Sequence, residues 1–318
     1  AIDNGRQCTT NFHPNAGLGS GEIEGTAQAN RDSDINPNDI ESIEILKGAA
    51  AGALYGARAG QGVILITTKS GRAGATRYAA QTKISFDNVT KDYPLQTQFG
   101  QGSDGLSPYA LAAGSDGVPD STACDKISNF NCRTSWGPDL TGTGIPTYDH
   151  ANEAFVTGHT SDNNLSVSGG NDRTSFFLSG AYLYDRGVFE GPNNNYQRST
   201  IRLKATQKLT DRFNVGGNVS FADARGNYVE RGNTTDGLQL GLLRTPPDWN
   251  NLPYKGPNGQ ITFRFQHPQP SDGIKDRGWN NPFWTLNDGI HNSQPGRVFG
   301  TLKATFAARD GLQGASGL

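Results

Sequence analysis

From Tyr78 onward the chain alternates. Tyr78, Ala80, Thr82, Ile84 and Phe86 fall on one face of a strand whose other face carries Ala79, Gln81, Lys83 and Ser85. The same period of two returns in Leu165 and Val167 against Asn164, Ser166 and Ser168. Ile201, Leu203 and Ala205 stand against Thr200, Arg202, Lys204 and Thr206, and Phe213, Val215, Val219 and Phe221 against Asn214, Asn218 and Ser220. Val298, Leu302, Ala304 and Phe306 oppose Thr301, Lys303 and Thr305, with Phe299 on the polar side; Thr174 to Tyr184 is aromatic-rich and alternates less cleanly. Six segments thus want one apolar and one polar environment, which is β structure.

The connections between them alternate as well. Asp87 to Asp162 is long, and Gly170-Asn171-Asp172-Arg173 is tight. Asp185 to Gln197 is longer again, Leu209-Thr210-Asp211-Arg212 is tight, and Ala222 to Gly296 is very long. Tight turns at one end and long loops at the other are the layout of an outer-membrane barrel, whose polar face lines a watery lumen and so tolerates Arg and Lys. Soluble sandwich strands average about 5–6 residues, whereas Thr174–Tyr184 and Phe213–Ala222 approach the roughly 9–11 that cross a bilayer. The barrel is the stronger reading and the soluble sandwich the alternative.

Composition agrees with β structure. Only 34% of the 318 residues are hydrophobic and 42 are glycine, a mixture poor for helical bundles and suited to turns and polar loops. The formal charge of −2 lacks the basic excess of a nucleic-acid binder, so no nucleic acid is expected as partner. No run approaches the roughly 18 apolar residues of a membrane helix. Neither a signal peptide nor a methionine is present, and Arg309 to Leu318 ends abruptly, so the expectation is a piece of a longer precursor.

Ahead of the strands lies a different kind of sequence. Residues 1 to 33 read as loop, with an edge strand at Ala1-Ile2. In Asp34 to Gly71, Asn36-Pro37 supplies a helix cap followed by proline at the first helical position, predicting one turn over Asn38–Ser42. Ser42–Lys47 then reads as a strand, Ala49–Tyr55 as a helix without a β-branched residue, and Val63–Lys69 as a strand apolar on both faces at its start and hence buried. Gly48, Gly52, Gly56 and Gly60 recur every fourth residue. Flanking Lys47 and Arg58 exclude a membrane-helix dimer face. The spacing is neither G-x-G-x-x-G nor a phosphate loop, which leaves close packing against neighbouring backbone.

Candidate chemistry is sparse. Cys124 and Cys132 sit in a Gly/Ser/Asp-rich stretch where a disulfide and two free thiols are both open; the spacing of all three cysteines, Cys8 included, matches no zinc pattern, and no metal is expected. No nucleophile elbow, HExxH helix or recognisable carboxylate pair appears, so no catalytic residue and no cofactor is expected.

The stretch Asn36-Pro37-Asn38-Asp39-Ile40-Glu41-Ser42-Ile43-Glu44, then Leu46-Lys47, Tyr55-Gly56, Arg58 and Gly62-Val63-Ile64-Leu65-Ile66-Thr67-Thr68-Lys69, closely resembles the signature of the SusC/RagA family of TonB-linked outer-membrane transporters. Ile2-Asp3 resembles an earlier strand of that family. Asn164 to Asn171 resembles its early barrel hairpin, and Arg244 to Pro247 and Asn281-Pro282 its long-loop motifs. Support is weakest over residues 87 to 150.

The resemblance implies an α+β plug segment followed by antiparallel transmembrane β-barrel strands, an incomplete plug-and-barrel architecture whose full barrel holds about 22 strands. Residues 1–74 would be the C-terminal part of the plug, and 75–318 the N-terminal part of the barrel with long extracellular loops. It further implies import of a glycan or peptide across the outer membrane of a Gram-negative bacterium, energised by the TonB complex through a segment upstream of Ala1. A SusD-like surface lipoprotein would be the lid, and outer-membrane lipid the surround. A siderophore or vitamin receptor shares the architecture and is the near alternative; a soluble β-rich surface module is the remote one. Trp136, Trp249, Tyr254, Trp279 and Trp284 lie in the long loops and are the candidate ligand contacts, with packing of the loops or an interfacial girdle as the other role open to them.

Overall fold

A computed structural model describes residues 35–47, 49–60, 62–90, 93–102, 104–106, 135–230, 237–259, 261–262, 281–289, 291–309 and 312–317. At its start the Asn36 side chain accepts the backbone N–H of Asn38 at 3.0 Å, and Pro37 opens a 3₁₀ turn over Pro37–Asp39. The turn is shorter than the one predicted: the Ile40 N–H closes it on the Pro37 carbonyl, and extended backbone follows at once. Strand β1 (Ile40–Leu46), helix α1 (Ala49–Tyr55), a second 3₁₀ turn (Ala57–Ala59) and strand β2 (Val63–Thr68) complete the unit, with β1 and β2 antiparallel.

Two expectations fail here. The β1–β2 hairpin is not buried: Ile43 and Ile45 are 57% and 62% exposed, and Ile64 is similarly open. An apolar run is buried only where other layers cover it, and among the described residues none lies over that part of a two-stranded sheet. Nor do Gly52, Gly56 and Gly60 serve as close-packing points; Gly48 lies outside the described residues. A Cβ on Gly52 would meet nothing within 4 Å, and Gly56, just past α1, is open too but holds a φ of +77° with a ψ of −167°, a conformation essentially confined to glycine. Gly62 has a φ of +110° with the Leu46 carbonyl oxygen 3.0 Å from where a Cβ would sit. Backbone conformation, not spacing along a helix face, is what these positions require.

The rest is one sheet. Strands β3 (Gly74–Asp87), β4 (Gly158–Gly170), β5 (Thr174–Arg186), β6 (Asn195–Thr210) and β7 (Phe213–Tyr228) follow each other as antiparallel neighbours. After helices α2 (Leu238–Arg244) and α3 (Pro282–Asn287), the short β8 (His291–Ser293) pairs the far end of β7; β9 (Gly296–Arg309) pairs its remainder, and β10 (Leu312–Gly317) pairs β9. The order is β10-β9-β7-β6-β5-β4-β3, open at both edges. At 13 to 16 residues, β3 to β7 exceed what a soluble sheet commonly uses and suffice to cross a bilayer. The two tight turns lie where expected. In the first, the Asn171 side chain accepts the N–H groups of Arg173 and Thr174.

Register explains the alternation. Ala80, Leu165, Gly180, Ile201, Phe221 and Val298 are successive cross-strand partners on one face, and Leu165, Ile201, Phe221 and Val298 are all exposed. The apolar stretch covers Tyr78–Phe86 on β3 but Val298–Phe306 on β9. Phe86 pairs with His159 at the long-loop end of β4, while Phe306 pairs with Phe213 at the opposite end of β7. The band therefore slants across the hydrogen-bond register, as strands tilted in a flat bilayer demand. Above the sheet at its long-loop end, Ala154, Val229, Leu238, Leu242, Phe283 and Leu286 form a small apolar core, with Phe189 and Tyr254 packed against it.

Candidate functional site

On β6 the inward residues are the even ones. Arg198, Thr200 and Arg202 are buried while Ile201 and Leu203 between them are exposed on the apolar face. What buries them is the β1–β2 hairpin. Arg202 Nη2 donates to the hydroxyl of Thr68, the last residue of β2. Lys204 Nζ donates to the Ser70 hydroxyl at 2.6 Å and the Thr68 carbonyl at 3.4 Å. A Cβ on Gly71 would overlap the backbone of Phe176 on β5, so the segment leaving β2 lies flat on the wall.

Asp39 is the acidic centre of this contact and is only 3% exposed. Burial pushes its carboxyl above the ordinary value of 3.8; a hydrogen bond from Ser179 on β5 and the charges of Arg202, Lys69 and Arg198 pull the other way. Local sequence sets its position. The Asn36 cap and Pro37 fix the turn that ends on Asp39, whose carbonyl accepts the Lys69 N–H at 2.8 Å, while Lys69 Nζ donates to the Asn38 carbonyl at 2.7 Å. At this seat the hairpin thus offers the cations of the sheet a carboxylate, the hydroxyls of Thr68 and Ser70 and the Thr68 carbonyl. A cleft of about 290 Å³ remains between them, lined by Ile64, Leu65, Thr68, Arg202, Ser220 and Phe299 among others; Phe299, out of place on a polar face, lines it.

Several signature residues meet in this seat and others do not. Asn36, Pro37, Asp39, Thr68 and Lys69 build it. Glu41 pairs with Arg72 at 2.9 Å in solvent; Ile43, Glu44, Lys47, Tyr55 and Thr67 are exposed, and Ile40 and Leu46 half-buried. Gly56 and Gly62 shape the backbone, and Arg58 lies in the second 3₁₀ turn. Sequence reasoning missed the wall partners. The inward parity of Arg202 and Lys204 was visible, but their pairing joins residues 134 apart in the chain, which no local pattern signals.

The candidate ligand aromatics are spread out. Trp136 is 60% exposed, its ring 5.8 Å from that of Phe99. Tyr254 is half-buried against the loop core, with Lys255 Nζ 5.4 Å from its ring centroid. Trp249 and Trp284 are half-buried, the latter within α3. Trp279, Cys124 and Cys132 lie outside the described residues. The long loops are tied together by polar contacts: His150 faces Glu153 at 2.8 Å and the Pro246 carbonyl at 3.0 Å, and Asn281 reaches the Asn251 carbonyl at 2.8 Å.

The family model for the TonB-dependent receptor plug domain matches residues 4–63. The TonB-dependent receptor SusC of Bacteroides thetaiotaomicron is 27% identical over 270 residues, 84% of this chain and 23% of that protein. The TonB-dependent receptor P3 of Formosa agariphila is 31% identical over 205 residues, 63% of this chain and 17% of that protein. The chain thus spans about a fifth of the length of these relatives. Among solved structures, the RagAB peptide transporter superposes with a TM-score of 0.61 at 21% identity, over 89% of this chain and 32% of that one. The closed-closed RagAB peptide importer gives 0.60 at the same identity. These structural matches bear on the fold: a plug segment within strands of an open antiparallel sheet.

Proposed function

The chain belongs to the SusC/RagA family of TonB-dependent receptors, and on that premise we propose that it is the part of an outer-membrane nutrient importer where the plug meets the first strands of its barrel. The observation that carries this reading is the seat itself. The signature turn ending at Asp39 and the end of β2 at Thr68 rest on Arg202 and Lys204 of an otherwise membrane-facing sheet.

In this reading the boundary between plug and barrel falls near residue 74, where β3 begins. The work is mechanical and non-covalent. A pull transmitted from upstream, by the TonB complex, strains the β1–β2 hairpin, and the polar contacts at Thr68, Ser70 and Asp39 are the ones that must open. Such contacts suit a reversible latch, because water can replace each of them when the hairpin shifts. The cargo is a glycan or a peptide. The name of the RagAB peptide importer favours the second, and a SusD-like lipoprotein on the long-loop face is the expected lid. Of the loop aromatics, Trp136 is the best placed for ligand, since its ring stays exposed.

The test is uptake by cells carrying the full-length gene, fed labelled oligosaccharides and peptides with and without a functional TonB. TonB-dependent uptake, and recovery of the protein from the outer membrane only with detergent, support the reading. Uptake indifferent to TonB, or a protein that fractionates as soluble, overturns it.

A further inference from the structure

On the inner face of the sheet the carboxylates are confined to one end of the strands. Asp87, Asp162 and Asp185 lie toward the long loops, where the cations Lys83, Arg198 and Arg297 accompany them. Below the level of Asn164 and Thr200 no strand presents an inward carboxylate among the described residues, and the ionised groups there are Arg77, Arg202, Lys204, Lys208 and Lys303. Ser, Thr and Asn fill the positions between them. The chain as a whole carries −2, so this one-sided field is arrangement and not composition.

Arg202 and Lys204 are engaged by the hairpin, as described above. Beyond them, at the tight-turn end, a cleft of about 420 Å³ opens on the same face, lined by Ser175, Thr206, Lys208, Asn214, Lys303 and Thr305, with Arg173 and Asp172 of the first tight turn at its rim. Ser175 and Thr206 share a hydrogen bond at 2.5 Å, and Lys208 pairs with Asp211 of the next turn at 2.9 Å. Lys303 is exposed. Cations interleaved with hydroxyl and amide groups on one wall make a surface that binds carboxylate or sulfate groups without reading their exact placement.

We propose that this cleft is an anion-binding step on the way out of the lumen, and that the cargo carries several carboxylate or sulfate groups. The inference rests on the transport reading above and deepens it by naming the charge class of what is carried. It requires Lys303 to be met by cargo, and Lys208 to exchange its turn carboxylate, Asp211, for a group of the cargo.

The experiment uses the full-length transporter, wild type and with Lys303→Glu or Lys208→Glu, both lining the cleft, against four labelled probes: oligogalacturonate, a neutral maltohexaose, a hexaglutamate peptide and a hexaglutamine peptide. Uptake by cells is measured beside binding to the purified, detergent-solubilised protein at low and high salt. The expected result is uptake of an acidic probe over its neutral partner, with either charge reversal lowering acidic-probe uptake and low-salt binding about threefold to fivefold, the range of a solvated ion pair. Which acidic probe is taken separates a glycan source from a peptide source. Equal handling of acidic and neutral probes overturns the inference, as does wild-type behaviour of both reversals or an equal loss for neutral probes. If no probe is taken up by wild-type cells while salt-sensitive acidic binding persists and the reversals weaken it, the transport reading fails and the anion site stands.

Discussion

Arg202 on β6 donates a hydrogen bond to the Thr68 hydroxyl at the end of β2, joining residues 134 apart in the chain and holding the hairpin to the wall. The same guanidinium helps to offset the burial of Asp39. Removing it as Arg202→Gln leaves a buried carboxylate short of a countercharge, which costs about 2 kcal/mol or more. The expected outcome is faster amide hydrogen exchange at Lys69, whose N–H bonds the Asp39 carbonyl, with barrel strands β5 and β6 unchanged.

Asp39 also sets a pH dependence. Its carboxyl is raised above 3.8, chiefly by burial, so in the acidic range above 3.8 the seated hairpin binds more protons than the released one. The seat is then firmest below that value and loosens as pH rises through the raised one. Asp39→Asn should flatten the profile, and Arg202→Gln should shift it further up. Exchange at Lys69 as a function of pH reads all three; a wild-type seat that tightens with rising pH would contradict the assignment.

The glycines give a three-way contrast. Gly62→Ala forces a side chain to a φ of +110° against the Leu46 carbonyl and should cost about 1–3 kcal/mol. Gly56→Ala has room but holds a φ of +77° with a ψ of −167°, a conformation essentially confined to glycine, and should cost about 1–3 kcal/mol. Gly52→Ala lies inside α1 facing open space and should gain about 0.5–1 kcal/mol. Protease protection of the hairpin in the folded receptor ranks them, and an equal loss at all three would mean that packing, not φ, governs.

How much of this was legible beforehand follows from the range of each interaction. The cap at Asn36, helix Ala49–Tyr55 and the faces of β3, β6 and β9 are local or periodic, and they lie where the residues put them. Strand β10, LQGASG, carries no alternation and exists through its ladder with β9. The exposure of Ile43 and Ile45 could not be foreseen, because an apolar run says only that a side chain would gain by burial, not which layer is there to bury it. The seat was invisible for a related reason: Asp39 announces a helix start and Arg202 a lumen face, and nothing in either pattern says that they meet.

The slanted apolar band predicts which substitutions the membrane will refuse. Ile201 and Leu203 sit within it, on the exposed face of β6. Ile201→Arg should cost about 2–4 kcal/mol if the position lies near the bilayer midplane, and should lower the fraction of full-length receptor that runs as a folded barrel on unheated gels. Thr206→Arg, on the inner face of the same strand, should leave that fraction unchanged.

Trp136 and Tyr254 should separate ligand contact from loop packing. Tyr254 is packed against the loop core, so Tyr254→Ala should lower stability by about 2 kcal/mol or more whatever the ligand. Trp136, largely exposed beside Phe99, should leave the melting temperature within about a degree when changed to Ala, since exposed substitutions are usually within about 0.5 kcal/mol, while raising the KM for uptake. An unchanged KM would remove Trp136 from the ligand path.

The loop cluster turns on His150, which is 1% exposed. Its Nε2 lies 3.0 Å from the Pro246 carbonyl, which can only accept, so that nitrogen carries a proton. Its Nδ1 lies 2.8 Å from Glu153 Oε1, an oxygen that also accepts from Asn251 Nδ2. Asn251 Nδ2 also lies 3.2 Å from Nδ1, so its amide joins imidazole and carboxyl in one cluster that ties residues 150–153 to 246–251. Glu153→Gln can keep the cluster, its amide N–H donating to a neutral Nδ1, and should cost under about 1 kcal/mol. Glu153→Ala removes the oxygen that both the imidazole and the Asn251 amide face and should cost about 1–3 kcal/mol. The loss should appear as faster proteolysis within residues 237–259 of the folded receptor, with β4 to β7 still protected. Equal proteolysis of the two variants would mean that the polar contacts of residue 153 contribute nothing to holding these loops.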